Sequence, residues 1–532
     1  MPTYLAFNYE YMNRDDLLDK LSSCSPGIFH KVVTYLKPPA GTLSSEMNSQ
    51  ATRAGELLEW AEHPDGSGIE ELERCYLRAS GKSVPKNPLN TTQSRGLNVY
   101  FEIQKILTNL SSLPNHYLLI PVLIISLIVT SSLQGVKSFG LLQSAELNAF
   151  DWSMRLRSLI RPLNKPDSRI LVITVDKHDI DYQDSEKMGR KEGWSLADKA
   201  LAKLLLKLKP YQPSVIGLNI SHPYKFNPEL ENILKNSENF VASCEIGVTE
   251  TPKEDTQPPP GISTKHLGFS DLPLDDDNII RRQLLLMAAG EDCNTSQAFS
   301  LQIAHNYLAQ QRNVPPIKKL PDGRRELGGH IIEKLEYNTG GYNLDTDETR
   351  GYQILLNYRY SDPEIIRLKD VLNGSSDSKL SGLVKNRIVL IGINQPQRDQ
   401  HRTVFFDGNP SSEKPGVIVH SHMISQILDL VLENKPLLWC FPEWLEFVWI
   451  EVWSVVGILL VIKRYSSVNF RYKFVVIFFI LGCFSPAFLL FEGWVPLIPS
   501  AIAFVVSAGV TLISIVLINL VPRLYMETSN HD

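Results

Sequence analysis

Four polar residues, each at or after an apolar run typical of a buried strand, are the candidates for ligand binding. Asp176 ends ILVITVD, Arg359 ends the run around LLNYR, Asn394 follows IVLIGI, and Asp399 lies in the loop after it. Ligands of open α/β sheets bind at the carboxyl ends of the strands. Hydrogen bonds that merely anchor loops are the equally weighted alternative for all four side chains.

A second set of charged residues lies in GFSDLPLDDDNIIRR. The acidic run from Asp275 to Asp277 lacks the glycine and glutamate spacing of a calcium-binding EF-hand loop. We therefore expect a solvated turn and no metal site. Arg281 and Arg282 could bind an anion or pair with Asp275 and Asp277, and the sequence leaves both readings open.

Signatures of several enzyme classes are missing from the sequence. There is no P-loop, HExxH, GxSxG or dinucleotide-binding fingerprint, so we expect no enzyme and no cofactor. The six cysteines show no zinc-type spacing, and a net charge of −5 without a basic block gives no indication of nucleic-acid binding.

The elements that must position these residues form an α/β domain over residues 137–436. The runs at 168–176 and 213–220 are apolar and β-branched, and the segment at 194–209 between them has a helical apolar period. Strand, helix and strand in this order predict a βαβ unit, hence a mainly parallel sheet with a right-handed crossover.

Four apolar segments flank this domain. They cover residues 117–136, 443–463, 474–491 and 495–521, and nothing ionised occurs between Lys105 and Lys137. A bilayer span needs about 20 apolar residues, so we expect four transmembrane helices, with buried core helices as the alternative. Glu446 and Glu451 are expected at the membrane interface, and Trp494 in an aromatic belt.

The remaining segments are a helical N-terminal region and a tether. Residues 1–82 read as short amphipathic helices, among them one with Ala54, Leu57, Leu58 and Ala61 on a single face. Residues 83–116 are a linker and a juxtamembrane helix. These assignments give a multidomain membrane protein with a small all-α bundle, an α/β domain and four transmembrane helices.

Basic residues predict the orientation. The loop between the second and third spans holds Lys463, Arg464, Arg471 and Lys473, whereas EGW between the third and fourth holds no basic residue. Because short basic loops stay in the cytoplasm, we expect both termini on the cytoplasmic side of the plasma membrane. Residues 137–436 are expected on the extracytoplasmic side.

A set of motifs in the α/β domain resembles one family. SFGLLQSAELNAFDWSMRLR, ILVITVD, VIGLNI, GFSDLPLDDDNIIRR, LLNYRY, LKDVLNG, KNRIVLIG and VHSHMISQILD occur in the order found in the second class of CHASE domain. The resemblance implies an extracellular sensory domain after one span and before three more. The sequence departs from the family plan because nothing resembling a kinase or cyclase output follows the last span.

The N-terminal region resembles another family. ELLEWAE and IEELERCY, in this order, are similar to bacterial effector-associated domains, which are death-fold-like helical adaptors of conflict systems. The resemblance implies recruitment of a separate cytoplasmic effector through a matching adaptor domain. An unrelated small helical bundle is the alternative.

A disulfide between Cys244 and Cys293 is also expected. They are the only cysteines of the domain placed outside, where the compartment permits oxidation. Two buried free thiols are the alternative.

Together these features predict a multi-pass sensor that detects an extracytoplasmic signal and recruits a cytoplasmic effector. A membrane scaffold that senses nothing and an extracytoplasmic enzyme of unrecognised type are the alternatives. The expected partners are the effector, the bilayer and an unknown ligand, without nucleic acid. Homo-oligomerisation stays open, as do the identities of the ligand and the effector.

Overall fold

A computed structural model describes nine stretches of the chain: residues 12–39, 41–45, 47–63, 66–82, 115–160, 165–246, 257–396, 398–464 and 470–529. The chain divides into two compact units, Met1–Ile103 and Gln104–Asp532, which are described in turn. The tether predicted at 83–116 lies almost entirely outside the described residues.

The first unit is helical, as predicted. Its helices are α1 (Arg14–Ser23), α2 (Pro26–Leu36), α3 (Gln50–Glu62) and α4 (Ile69–Ala79). Asn13 caps α1, because its side chain accepts a hydrogen bond from the Asp16 N–H at 2.8 Å. The predicted apolar face of α3 is buried. It packs with apolar residues of the other three helices into one core.

The second unit alternates strands and helices before it ends in apolar helices. Its helices are α5 (Asn115–Ser138), α6 (Gln143–Ile160), α7 (Lys177–Ser185), α8 (Asp198–Leu208), α9 (Pro228–Lys235), α10 (Phe299–Arg312), α11 (Leu368–Leu372), α12 (Asp377–Val384), α13 (Gly416–Glu433), α14 (Glu443–Arg464), α15 (Phe470–Leu489) and α16 (Ile498–Ser529). The strands of its main sheet are β1 (Ile170–Val175), β2 (Val215–Asn219), β3 (Phe240–Cys244), β4 (Leu267–Phe269), β11 (Glu364–Arg367) and β12 (Ile388–Ile393).

This six-stranded sheet has the order β11-β1-β12-β2-β3-β4, and every pair of neighbours is parallel. The prediction of an α/β domain with a mainly parallel sheet is therefore confirmed. Nearly every residue of β1, β2, β3 and β12 is buried, which explains why these strands read as continuous apolar runs.

Two glycines let helices approach one face of the sheet. A Cβ atom at Gly217 in β2 would lie 2.4 Å from Ile303 Cδ1 of α10, and one at Gly392 in β12 would lie 2.3 Å from Val417 Cβ of α13. A larger side chain at Gly392 would overlap Val417 of α13, and one at Gly217 would displace the Ile303 side chain.

Smaller sheets complete the domain. Their strands are β5 (Ile279–Ile280), β6 (Arg282–Leu286), β7 (Lys318–Lys319), β8 (Arg325–Leu327), β9 (His330–Ile332), β10 (Tyr352–Leu355), β13 (Gln400–Thr403), β14 (Lys414–Pro415), β15 (Trp439–Cys440) and β16 (Gly493–Trp494). Strands β6 and β10 are antiparallel neighbours. Arg282 begins β6, and Arg281 directly precedes it.

Four helices are long and apolar enough to cross a membrane: Ile120–Ser138, Glu443–Ile462, Phe470–Leu489 and Ile498–Leu517. They belong to α5, α14, α15 and α16. Many of their apolar side chains are exposed, Ile120 and Phe479 among them. An apolar surface of this kind on four neighbouring segments is what lipid contact requires.

Candidate functional site

Helix α6 is the element at which the α/β domain meets the apolar helices. We call α6, residues 337–344 and residues 489–498 the junction. Leu147, Phe150 and Met154 of α6 share one hydrophobic cluster with Ile280 of the α/β domain and with Trp494, which precedes α16. The α/β domain, α6 and the segment before α16 therefore share one packed core.

At its first turn, α6 holds the start of α16. Glu146 is buried and accepts hydrogen bonds from the backbone N–H groups of Leu497 (3.0 Å) and Ile498 (2.7 Å) and from Trp494 Nε1 (3.2 Å). Burial raises the pKa of Glu146 to about 7, although these hydrogen bonds act to lower it. The carboxyl group thus supplies a cap to α16 from another helix.

Trp494 was expected in an aromatic belt, but it is only 1% exposed. Its ring lies 4.7 Å from the Phe150 ring and 5.8 Å from the Tyr342 ring, measured between centroids. The hydrogen bond from its Nε1 atom to Glu146 explains the difference, because a buried indole needs an acceptor.

In its middle, α6 holds a buried arginine of the α/β domain. Arg281 is 0% exposed, and its guanidinium forms two 2.8 Å hydrogen bonds with Asp151 of α6. It also donates to Asp275 at 2.8 Å and to Asp277 at 2.6 Å. Burial alone would lower the pKa of Arg281, but the bonds to Asp151 and Asp277 raise it instead, so the group stays charged.

Arg282 extends this cluster into the α/β domain. Its Nε atom donates to Asp275 at 2.8 Å, and the Tyr342 hydroxyl donates to the other oxygen of Asp275 at 2.9 Å. The sequence left open whether the two arginines bind an anion or pair with the acidic run. In the structure both arginines pair with the acidic run. Asp275 is buried rather than part of a solvated turn. No metal-binding group of three acidic, histidine or cysteine side chains occurs among the described residues.

At its last turn, α6 holds the loop between α15 and α16. Arg157 Nη1 lies 2.8 Å from Glu492 Oε2, and its Nη2 donates to Asn357 Oδ1 at 2.5 Å. The Asn357 amide in turn donates to Glu492 at 2.6 Å. Because Asn357 follows β10, this triad joins α6, the α/β domain and the α15–α16 loop at one point.

Polar contacts also cross between α5 and α14. Lys137 Nζ lies 2.5 Å from Glu446 Oε1, and Glu451 accepts hydrogen bonds from Ser126 (2.5 Å) and Thr130 (2.7 Å). The two glutamates were expected to face the membrane interface. Both pair with side chains of α5, and the burial of Glu446 makes such a partner necessary.

The four sequence candidates do not converge on one pocket. Asp176 follows β1 and caps α7, with its side chain accepting from the Asp179 N–H at 3.0 Å. Asn394 follows β12 at the same edge and is exposed. Asp399 lies 2.9 Å from His401 Nε2 and beside Gly416 at the start of α13.

Arg359 lies near the opposite, amino edge of the sheet. Its guanidinium donates to both oxygens of Asp429 at 2.6 Å and to Ser425 Oγ at 2.6 Å, and it lies 3.7 Å from Asp167, which precedes β1. Its interactions bind α13 to the loop before the sheet. The physical reason is that β10 pairs with β6 in a separate two-stranded sheet, so that Arg359 does not follow a strand of the main sheet.

Cys244 and Cys293 are joined in the structure, with the sulfur atoms 2.07 Å and the Cα atoms 5.6 Å apart. Cys244 ends β3, and Cys293 lies in the loop before α10. The bridge therefore ties that loop to the carboxyl edge of the sheet.

Sequence reasoning missed the acceptors and donors of α6. Glu146, Asp151 and Arg157 lie within the motif SAELNAFDWSMRLR, and their partners are from 130 to more than 300 residues away. The available signal was the set of charges on a helix whose neighbouring positions, such as Leu147 and Phe150, are apolar.

An α/β domain set between apolar helices and bound to them by buried charges defines the class of this protein. A family model described as the CHASE2 domain matches residues 122–459, which is more than half of the chain. The chain belongs to the CHASE2 domain family. No curated protein and no solved structure matches it.

Proposed function

We propose that this protein is a multi-pass membrane sensor whose α/β domain detects an extracytoplasmic signal and passes it to the membrane helices through the junction. The CHASE2 match and the four apolar helices support a membrane sensor. The observation that carries transmission is that α6 binds the α/β domain by Asp151 and the C-terminal helices by Glu146 and Arg157.

Buried ion pairs suit this role for a physical reason. A charged group such as Arg281 cannot leave its carboxylates without finding new partners, because an unpaired buried charge costs several kcal/mol. Packed cores also have discrete alternative arrangements rather than continuous deformations. A ligand that displaces β6 would therefore move α6 as a unit, and with it the start of α16.

The proposed orientation places the α/β domain on the extracytoplasmic side of the plasma membrane and both termini on the cytoplasmic side. Lys463 and Arg464 end α14, and Arg471 and Lys473 stand in the first turn of α15, so the loop between these helices is basic at both ends. The α15–α16 loop lies at the other ends of its helices and carries Glu492. This asymmetry favours a cytoplasmic α14–α15 loop.

The N-terminal unit is proposed to recruit a separate cytoplasmic effector. Its four helices have their own core, and Tyr35 and Met47 are large apolar side chains on its surface, 41% and 95% exposed. Together with its resemblance to effector-associated domains, this favours a binding module of the effector's matching adaptor. In this proposal neither unit is an enzyme.

Photo-cross-linking in living cells tests sensing and recruitment together. A photoreactive residue at Tyr35 should capture the effector, and Arg157→Ala should change the captured amount because it breaks the junction. Arg350→Ala removes an exposed ion pair elsewhere in the same domain and should leave capture unchanged. Equal capture with and without Arg157→Ala would favour the scaffold alternative, and absence of any captured protein would contradict recruitment.

A further inference from the structure

A cavity lies where α5 ends, α14 begins and residues 337–343 of the α/β domain meet them. Its volume is about 430 Å³, and its lining includes Ser131, Gln134 and Ser138 of α5, Glu443 and Phe447 of α14, and Asn338. Lys137 of α5 and Tyr342, which take part in the polar contacts described above, also line it.

The α5 wall of the cavity is a polar stripe on an apolar helix. Ser131, Gln134 and Ser138 are spaced by three and four residues, so they share one face over the last two turns. One turn earlier the exposed side chains are apolar, as at Leu127 and Ile128. A stripe that turns polar at the end of a span marks the level of the lipid headgroups.

Among the described residues, the cavity has one amide oxygen without a donor and one carboxylate without a paired cation. Gln134 Oε1 is buried and has no hydrogen-bond partner among the described residues. Glu443 accepts from the Asn338 amide, but no cation of the described residues lies within ion-pairing distance of it. Lys137 also lines the cavity, but its ammonium pairs with Glu446 at 2.5 Å. The cavity therefore keeps one net negative charge and an unused acceptor.

We propose that this cavity binds the headgroup of a phospholipid that carries a primary ammonium, namely phosphatidylethanolamine. A primary ammonium has three N–H donors, so it can donate both to a carboxylate and to an amide oxygen, the groups that Glu443 and Gln134 contribute. A choline headgroup carries the charge without N–H donors, and a phosphatidylglycerol headgroup is anionic where the cavity is already negative. The bilayer is the source of the ligand because the cavity lies at the ends of two spans.

Binding there would also touch the junction. Asn338 belongs to the loop that continues to Tyr342, which packs on Trp494 and donates to Asp275. A lipid that holds Asn338 and Glu443 together would fix this loop against α14. The inference needs only membrane insertion from the proposed function, so it does not depend on effector recruitment.

Lipid retention by the full-length protein tests the proposal. The protein is placed in bilayers of equal phosphatidylethanolamine, phosphatidylcholine and phosphatidylglycerol, extracted gently, and its retained lipids are quantified by mass spectrometry. Phosphatidylethanolamine should be enriched over both other lipids. Glu443→Gln and Gln134→Leu should each lower the enrichment by about tenfold, as expected for one charge-assisted hydrogen bond.

Ser132→Ala is the matched control, because Ser132 is exposed on α5 and donates to the Ile128 carbonyl of its own helix. It should leave the enrichment unchanged. The thermal unfolding midpoint of each variant is compared with that of the wild type to check folding. The two test substitutions probe the site independently of each other. Equal retention of the three lipids, preference for phosphatidylglycerol, or enrichment unaffected by both substitutions would overturn the proposal.

Discussion

Arg157 and Glu492 form a partly shielded ion pair with Nη1 2.8 Å from Oε2, although 335 residues separate them in the sequence. Their side chains are 12% and 15% exposed. The pair connects the last turn of α6 to the loop between α15 and α16. It is one of the contacts by which α6 is bound to the segment between these two helices.

Arg157→Ala should therefore destabilise the second unit. Glu492 loses its cationic partner while the Asn357 amide still donates to it, so we expect a loss of about 1–3 kcal/mol. The thermal unfolding midpoint in detergent or nanodiscs measures this effect. Arg350→Ala is the control, since the Arg350–Asp347 pair is exposed and worth about 1 kcal/mol or less. Equal midpoints for the two variants would refute the importance of the pair.

Much of the fold could be predicted from the sequence, because it rests on local patterns. The buried strands at 170–175 and 388–393 are β-branched apolar runs. The four apolar helices are predicted by their length and their scarcity of charge. The site could not be predicted in the same way. Arg359 was placed at the carboxyl edge because it ends an apolar run, but its partner Asp429 lies on α13, 70 residues further on.

The cluster around Arg281 should be the most sensitive polar site of the α/β domain. Arg281→Leu keeps the volume of the side chain roughly constant but leaves Asp151, Asp275 and Asp277 without this cation. We expect a loss of stability of at least about 3 kcal/mol, measured as a lower thermal midpoint and lower yield. Arg324→Leu, at an arginine with a 44% exposed side chain, should have little effect. A well-folded Arg281→Leu protein would show that the cluster does not hold α6 in place.

The stability of the junction should depend on pH through Glu146. Its pKa is raised from 4.5 to about 7 by burial, so the folded protein binds this proton more tightly than the unfolded chain. The resulting stabilisation is fully present below about pH 4.5 and is lost as the pH rises through about 7, with a total of about 3 kcal/mol.

Glu146→Gln removes this titration and keeps an oxygen that accepts hydrogen bonds. The fall of the thermal midpoint between pH 5 and pH 8 should therefore be shallower in the variant than in the wild type. The difference between the two curves isolates Glu146 from other titrating groups. Parallel curves would mean that Glu146 does not titrate in this range.

The Cys244–Cys293 bridge should survive in protein taken from the native membrane. It closes a loop of 49 residues, which in the chain-entropy model stabilises the fold by about 4 kcal/mol. Non-reducing mass spectrometry should find the linked peptides, and Cys244→Ser with Cys293→Ser should lower the thermal midpoint. Two freely alkylated thiols would contradict the bond and weaken the outside placement of the domain.

Cysteine labelling directly measures the proposed placement of the N-terminal helical unit and the α/β domain on opposite sides of the membrane. Cys24, Cys75, Cys440 and Cys483 are replaced by serine, and a single cysteine is introduced as Ser375→Cys or Met47→Cys, both at exposed positions. Spheroplasts, which keep an intact plasma membrane, are treated with a membrane-impermeant maleimide. The account predicts labelling at position 375 before permeabilisation and at position 47 only after it. Labelling of both positions, or of position 47 alone, in intact spheroplasts would contradict a transmembrane sensor.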